Sequence, residues 1–293
     1  MHEATVAGYV SPRCDAIRTH AMGRKICVLA AKRLIFGPMR GMKCLKAVLG
    51  TGSNAMHLCS SVLTLGLGLA TGGVRCYGAD GWGGSLALTS DYFVKGITRS
   101  NDLEALQLDL HYVDNAGLVA GAFASNTQID PYGRRDVELN GYAGFAWAGT
   151  GDWHGRIFGS YYAYPWNAEG SRYNYEEVDL DLGYQSWLDI GLSYSPGYPR
   201  LLDRRIIHAA AESVELNLQH PLIGKLSAGG GVGYSELAGP GGTGYAYWSV
   251  EMVYDLAPVV LSVSYIDTSA GAKRLFDDDA ATGRWVGTVM WRF

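Results

Sequence analysis

From Trp82 onward, apolar and polar residues alternate with period two, segment after segment, and few folds accept such a chain. Leu106, Leu108, Leu110 and Tyr112 share one face, while Gln107, Asp109 and His111 share the other. Val137, Leu139, Gly141, Ala143, Phe145 and Trp147 oppose Asp136, Glu138, Asn140 and Tyr142 in the same way. The pattern recurs at Val178–Tyr184, Ile190–Tyr194 and Val214–Leu218. No stretch after residue 80 carries a capped apolar stripe at 3.6-residue spacing. The expected fold is all-β.

Twelve strand segments are expected, at 83–96, 103–113, 117–127, 135–147, 152–164, 174–185, 187–195, 207–219, 225–236, 244–255, 258–267 and 284–293. Their connections alternate. Long ones (97–102, 128–134, 165–173, 196–206, 237–243, 268–283) follow odd-numbered segments, and short ones follow even-numbered segments. An even strand count with this alternation predicts an antiparallel transmembrane β-barrel, with short periplasmic turns and longer extracellular loops. A soluble sandwich has no reason to alternate loop length so regularly. Alternation alone leaves open which face is inside: a core in water, or a polar lumen in lipid.

Aromatic placement supports the lipid reading. All eight tryptophans and 17 of the 19 tyrosines follow residue 80. Many sit near segment ends, among them Trp82, Tyr112, Trp147, Trp153, Trp187, Tyr194, Tyr254 and Trp291, where amphipathic rings would form girdles at the two interfaces. In the last segment Trp285, Gly287, Val289, Trp291 and Phe293 share a face. A strand ending on Phe293 is expected to be the signal read by the barrel assembly machinery.

The first 79 residues differ in kind. They hold all five cysteines (Cys14, Cys27, Cys44, Cys59, Cys76), ten of the 24 basic residues and two of the 28 acids, which leaves the body with 14 basic and 26 acidic residues. Met42, Lys43 and Lys46, the apolar stretch Leu58–Ala70 and the small-residue end Tyr77-Gly78-Ala79 predict a signal peptide over 42–79. The stretch is short of the roughly 20 residues a spanning helix needs. Residues 1–41 are expected to be a disordered upstream extension, with Met1, Met42 or Met56 as the start. Arg75 before Cys76 speaks against a lipoprotein site. The barrel domain is expected over 80–293, in the bacterial outer membrane. Its lack of cysteine removes disulfides, thiolate metal sites and thiol catalysis.

If the polar face lines a lumen, that lumen is acidic. Asp109, Glu138, Asp179, Asp181, Glu215, Glu251 and Asp255 lie on it, with Arg156 and His154 among few cations. The pore-lining candidates are Asp109, His111, Glu138, Arg156, Asp179, Asp181, Glu215 and Glu251. Such a lumen would favour small cations or neutral polar solutes over anions. A polar plug of side chains that conducts little is equally compatible with twelve strands.

Other chemistry finds little support. Gly239–Gly244 fits G-x-G-x-x-G, but it joins two strands and contains Pro240, so it reads as a loop. His111, His154, His208 and His220 include no i, i+4 pair for zinc. His111 beside Asp109 could enter a hydrolase triad, but no nucleophile elbow accompanies it. Asp277-Asp278-Asp279 lacks EF-hand spacing and reads as a solvated loop, as do Arg200, Arg204 and Arg205, although these could meet lipopolysaccharide phosphates. No cofactor, metal or nucleic acid is expected. The expected partners are outer-membrane lipid and lipopolysaccharide, the assembly machinery and small solutes.

Ser90-Asp91-Tyr92-Phe93-Val94-Lys95-Gly96-Ile97-Thr98 resembles a motif of the TorF-like porins, also called the Gcw_chp family. Lys95 stands where arginine is more usual, which keeps the charge but loses the bidentate fork. Gly117–Asn126 resembles the family's second hairpin, with Phe123 where tryptophan is frequent. Glu138–Gly144 and Tyr175–Tyr184 also resemble family strands, so the likeness spans 82–293. It implies an outer-membrane barrel of the porin kind, marked by Ser90, Asp91, Tyr92, Lys95 and Gly96. It transfers no substrate or catalytic residue.

Overall fold

A computed structural model describes residues 81–293, except 130–132, 150, 203–204, 240–243 and 277. The expectations for 1–41 and 42–79 lie outside the described residues. The strands are β1 (Gly81–Thr89), β2 (Phe93–Val94), β3 (Ile97–Thr98), β4 (Ala105–Val113), β5 (Leu118–Thr127), β6 (Asp136–Ala148) and β7 (Trp153–Ala163). They continue with β8 (Tyr175–Tyr184), β9 (Leu188–Leu202), β10 (Arg205–Ile223), β11 (Leu226–Leu237), β12 (Gly244–Asp255), β13 (Val259–Thr268) and β14 (Arg284–Arg292). A short helix, α1 (Ala270–Leu275), precedes β14.

Twelve of these strands form one closed antiparallel barrel, each paired with its neighbour in sequence, and β2 and β3 form a separate small hairpin. Closure joins β1 to β14, with Leu86 opposite Trp291 and Leu88 opposite Val289. Gly84 N–H donates to the Phe293 carbonyl and Phe293 N–H to the Gly84 carbonyl, both at 3.0 Å, so the final residue completes the seam. Strands of 9 or 10 residues, such as β1, β4, β8 and β14, match the roughly 9–11 that a tilted strand needs to cross a bilayer.

The direction of the alternation decides the solvent. Leu86, Leu88, Leu106, Leu108, Leu110, Leu139, Phe145, Val178, Leu192, Leu216, Val250, Val263 and Val289 point outward and are exposed. Ser85, Asp109, Ser125, Glu138, Asn140, Glu177, Asp179, Asp181, Ser195, Glu215, Asn217 and Ser249 point inward and are buried. An apolar outside around a polar inside is stable in lipid, not in water. Aromatic contacts such as Trp82–Tyr112 and Trp291–Phe293 at one end, and Tyr265–Trp285 at the other, ring this apolar surface. Inside, Tyr142 lies over Gly121 and Tyr247 over Gly233, each ring filling the space a side chain would take.

Three local expectations are corrected. The first segment, expected to run to residue 96, ends at Thr89, because Ser90–Asp91 turn the chain into the lumen and Lys95-Gly96 supply a tight turn. The connection expected as a loop over 196–206 is instead a β-ribbon, since β9 and β10 stay paired up to Leu202 opposite Arg205. The connection expected at 268–283 carries α1, whose Ala272 packs with Ala281, Ile97, Tyr245 and Tyr247. Among the described residues, no helix is long and apolar enough to cross a membrane.

Candidate lumenal site

The family-like motif builds an arm that enters the lumen. After β1, the Thr89 hydroxyl donates to the Asp91 carbonyl at 2.8 Å and the Arg99 N–H to the Tyr92 carbonyl at 2.6 Å. The arm folds on itself as the β2–β3 hairpin, with Phe93 opposite Thr98. Lys95 (φ +51°) and Gly96 (φ +77°) occupy its two-residue loop, the left-handed pair that a tight hairpin turn requires. Gly96 has a second reason to be glycine. A Cβ there would lie 2.5 Å from Tyr247 Cβ and 2.8 Å from Thr268 Cγ2.

Asp91 anchors the base of the arm. Its Oδ1 accepts from the Thr98 and Ser100 hydroxyls, and its Oδ2 from Arg284 at 3.2 Å. Arg284 also reaches Asp102 at 2.5 Å. Burial raises the Asp91 carboxyl above the usual aspartate range, against the lowering effect of Thr98, Ser100 and Arg284. Tyr92 then donates to Glu138 Oε1 at 2.8 Å, and Tyr164 donates to Glu138 Oε2 at 2.6 Å. Arg99 Nη2 donates to the Tyr198 hydroxyl at 2.8 Å. The arm is therefore held at several points around the inner wall.

At its tip the Lys95 ammonium donates to Glu177 Oε2 at 2.6 Å. Burial alone would lower the Lys95 pKa, but Glu177 and then Asp179 outweigh it, so Lys95 is held above the ordinary lysine range. Around this tip the barrel presents four carboxylates. Glu177, Asp179 and Asp181 alternate along β8, and Glu215 on β10 lies opposite Gly191 of β9, which itself lies opposite Asp181. Arg156 Nε donates to Asp181 Oδ2 at 2.7 Å, and the Tyr247 hydroxyl donates to Glu215 Oε1.

A second cluster lies nearer the short-turn end. His111 Nδ1 meets Asp109 Oδ1 at 2.6 Å, and the Tyr142 hydroxyl donates to Asp109 Oδ2 at 2.7 Å. Asp109 and His111 thus come together as the hydrolase reading requires. Among the described residues, however, no serine is hydrogen-bonded to His111. Arg292 Nη2 donates to both Asp255 oxygens at 2.8 and 2.9 Å. Among the described residues, no group of three or more His, Cys, Asp or Glu side chains could hold a metal ion.

All eight pore-lining candidates point into the barrel. Glu138, Asp179, Asp181 and Glu215 are buried beside the arm, Asp109 and His111 pair with each other, Arg156 joins Asp181, and Glu251 lies against Gly229. Phe293 lies at the seam on the outer face. Of the motif, Asp91, Tyr92, Lys95 and Gly96 are buried in the arm or close to buried, and Ser90 Oγ accepts from Gly287 N–H at 3.0 Å. Sequence reasoning missed Glu177, although its even spacing with Asp179 and Asp181 gives it away. It also missed Arg99 and Arg284, which lie outside the alternating segments or at the edge of one and carry no periodic signal. The glycine motif at 239–244, Arg204 and Asp277 fall wholly or partly outside the described residues.

The model of a bacterial protein family of unknown function, Gcw_chp, matches residues 80–290. The chain belongs to the Gcw_chp family. The Gcw_chp match takes in the whole arm and all twelve barrel strands but for the last residues of β14. No curated protein matches the chain. Solved structures similar to this Gcw_chp chain include the KdgM porin (11% identity, TM-score 0.47), covering 72% of this chain and 99% of that one. The NanC porin is also similar (9%, TM-score 0.46, 72% and 98% covered), as is the toluene transporter TodX of Pseudomonas putida (11%, TM-score 0.37, 74% and 90% covered).

Proposed function

We propose that this Gcw_chp chain is an outer-membrane porin of the TorF-like kind, a passive channel for small polar or cationic solutes. One observation carries the reading: the inner wall of a closed, lipid-facing barrel bears four clustered carboxylates, Glu177, Asp179, Asp181 and Glu215, around the tip of an inward arm. Acidic groups in a narrow passage raise the local concentration of cations and depress that of anions. In this reading the short turns are periplasmic, the arm hangs from the extracellular rim, and the leader over 42–79 exports the chain. Assembly then depends on the C-terminal strand with Phe293. Outer-membrane fractionation with heat-modifiable gel migration tests the location.

Planar-bilayer recording tests the channel. The expected result is discrete conductance with a cation-selective reversal potential that weakens in Glu215→Gln. Folded, inserted protein without channel events overturns the porin reading.

A second reading, a structural or surface-interaction barrel with a filled lumen, is favoured by the arm itself. Residues 91–100 are buried or half-buried within the barrel, and Tyr92, Lys95 and Arg99 hydrogen-bond to side chains on β6, β8 and β9. In that case Lys95→Ala would leave the protein silent as well.

A further inference from the structure

Between Lys95 and the wall of β8, β9 and β10 lies a cavity of about 20 Å³, lined by Lys95, Asp179, Asp181, Ser193, Ser213 and Glu215 over Gly191. Cross-strand register explains the convergence: Asp179 is opposite Ser193, Ser193 opposite Ser213, and Gly191 lies between Asp181 and Glu215. Gly191 keeps the floor open, since a Cβ there would stand 3.2 Å from Asp181 Oδ1. Three of the four carboxylates have a donor: Glu177 takes Lys95, Asp181 takes Arg156, and Glu215 takes Tyr247. Asp179 is the exception. It is 2% exposed, and its Oδ2 has no hydrogen-bond partner.

We propose that this cavity is a binding site for a primary ammonium group, and that Lys95 is a tethered occupant of the adjoining position. The proposal deepens the channel reading and rests on the lumen admitting solutes. Three properties select the ligand. A cavity needs roughly 10–15 Å³ to hold one water-sized body, so a –NH3⁺ head fits and a quaternary ammonium does not. The lining residues include three acceptor oxygens, Asp179 Oδ2, Ser193 Oγ and Ser213 Oγ, the first two without a hydrogen-bond partner, which suits a head with three N–H donors. A tightly ligated divalent ion needs convergent ligands instead, and no such group of three exists among the described residues. Acidic residues also outnumber basic ones here, with Glu177, Asp179, Asp181 and Glu215 around Lys95 and Arg156, and a buried carboxyl oxygen without a hydrogen-bond donor is costly. The barrel already demonstrates the recognition: its own primary ammonium sits 2.6 Å from Glu177. A solute with two such groups, a short diamine, would fill the cavity with one and compete with Lys95 for Glu177 with the other.

Titration calorimetry of the folded full-length barrel in detergent, at constant ionic strength, tests this with 1,4-diaminobutane against tetramethylammonium. The expected result is saturable one-to-one binding of the diamine and none of tetramethylammonium. Asp179→Asn should weaken diamine binding at least tenfold, and Lys95→Gln should tighten it at least tenfold by vacating Glu177. Equal responses to the two cations, no binding at all, or a variant that leaves diamine affinity unchanged overturns the proposal. If a variant does not fold, the comparison of the two cations on the natural sequence decides alone. Diamine binding by a barrel that never conducts would sink the channel reading and leave the site standing; conduction without diamine binding would do the reverse.

Discussion

The Lys95 ammonium rests 2.6 Å from Glu177 Oε2, although the two residues are 82 positions apart and β8 is five strands round the ring from β1. The backbone of the same turn presses on Tyr247 of β12, three strands away in the other direction. One two-residue turn thus touches two separated walls of the barrel, and what moves it changes the lumen.

The elevated Lys95 pKa sets a pH window for that contact. The folded value lies above the ordinary lysine value of about 10.4. The ion pair's contribution is therefore complete below that value and disappears as pH rises through the folded one. Conductance should rise as pH climbs beyond about 10, and Lys95→Gln should abolish that step. A step above pH 10 that persists in Lys95→Gln would refute the assignment to Lys95.

Asp91→Ala should free the arm. It removes acceptors for Thr98, Ser100 and Arg284, and hydrogen bonds to a charged group contribute about 1.5–3 kcal/mol each. A net loss of roughly 3 kcal/mol is on the order of a hundredfold in the open population. Limited trypsin digestion of the folded protein should then cut after Lys95 and Arg99 far faster than in the natural sequence. Unchanged cleavage with intact heat-modifiable migration would show that Asp91 does not hold the arm.

Gly96→Ala meets two obstacles, a φ of +77° and a new Cβ 2.5 Å from Tyr247 Cβ. Left-handed strain costs about 1–3 kcal/mol and the overlap adds to it. The arm should withdraw while the barrel still closes, since β1–β14 pairing does not involve residue 96. Larger single-channel conductance with an unchanged folded fraction is the expected outcome.

Leu108→Arg tests the solvent of the outer face. Leu108 is 47% exposed at the middle of β4. In a bilayer, arginine at that depth costs about 2–4 kcal/mol, whereas an exposed leucine in water would tolerate it. Folding into lipid vesicles, followed by urea titration, should show that loss. No loss would argue against lipid at this surface.

Much of the barrel was legible in the sequence for a simple reason. Period-two alternation is local, so Leu106–Tyr112 or Val137–Trp147 reveal a strand and its two faces without knowledge of any partner. Most strand limits expected from it fall within two residues of those observed. The exceptions, beyond residue 89, over 196–206 and beyond residue 219, where β10 continues to Ile223, are places where the alternation stops carrying information. Phe93, Val94, Ile97 and Thr98 look like a strand's continuation and do form strand, but they pair with each other inside the lumen. The arginines that tie the arm gave no signal either. Arg99 meets Tyr198 across 99 positions and Arg284 meets Asp91 across 193, and no local pattern encodes such distances.

The sequence by itself determined the all-β architecture, the twelve spanning segments and the acidity of their polar face, because each depends on residues close together in the chain. Tertiary structure alone decided that the polar face is the inside, and that Lys95 and Glu177 meet. It also decided that Asp179 is left with an unpartnered oxygen beside an open floor at Gly191. Those facts depend on ring closure, which fixes which strands face one another across the lumen and brings charges into contact at a range that no periodicity reaches.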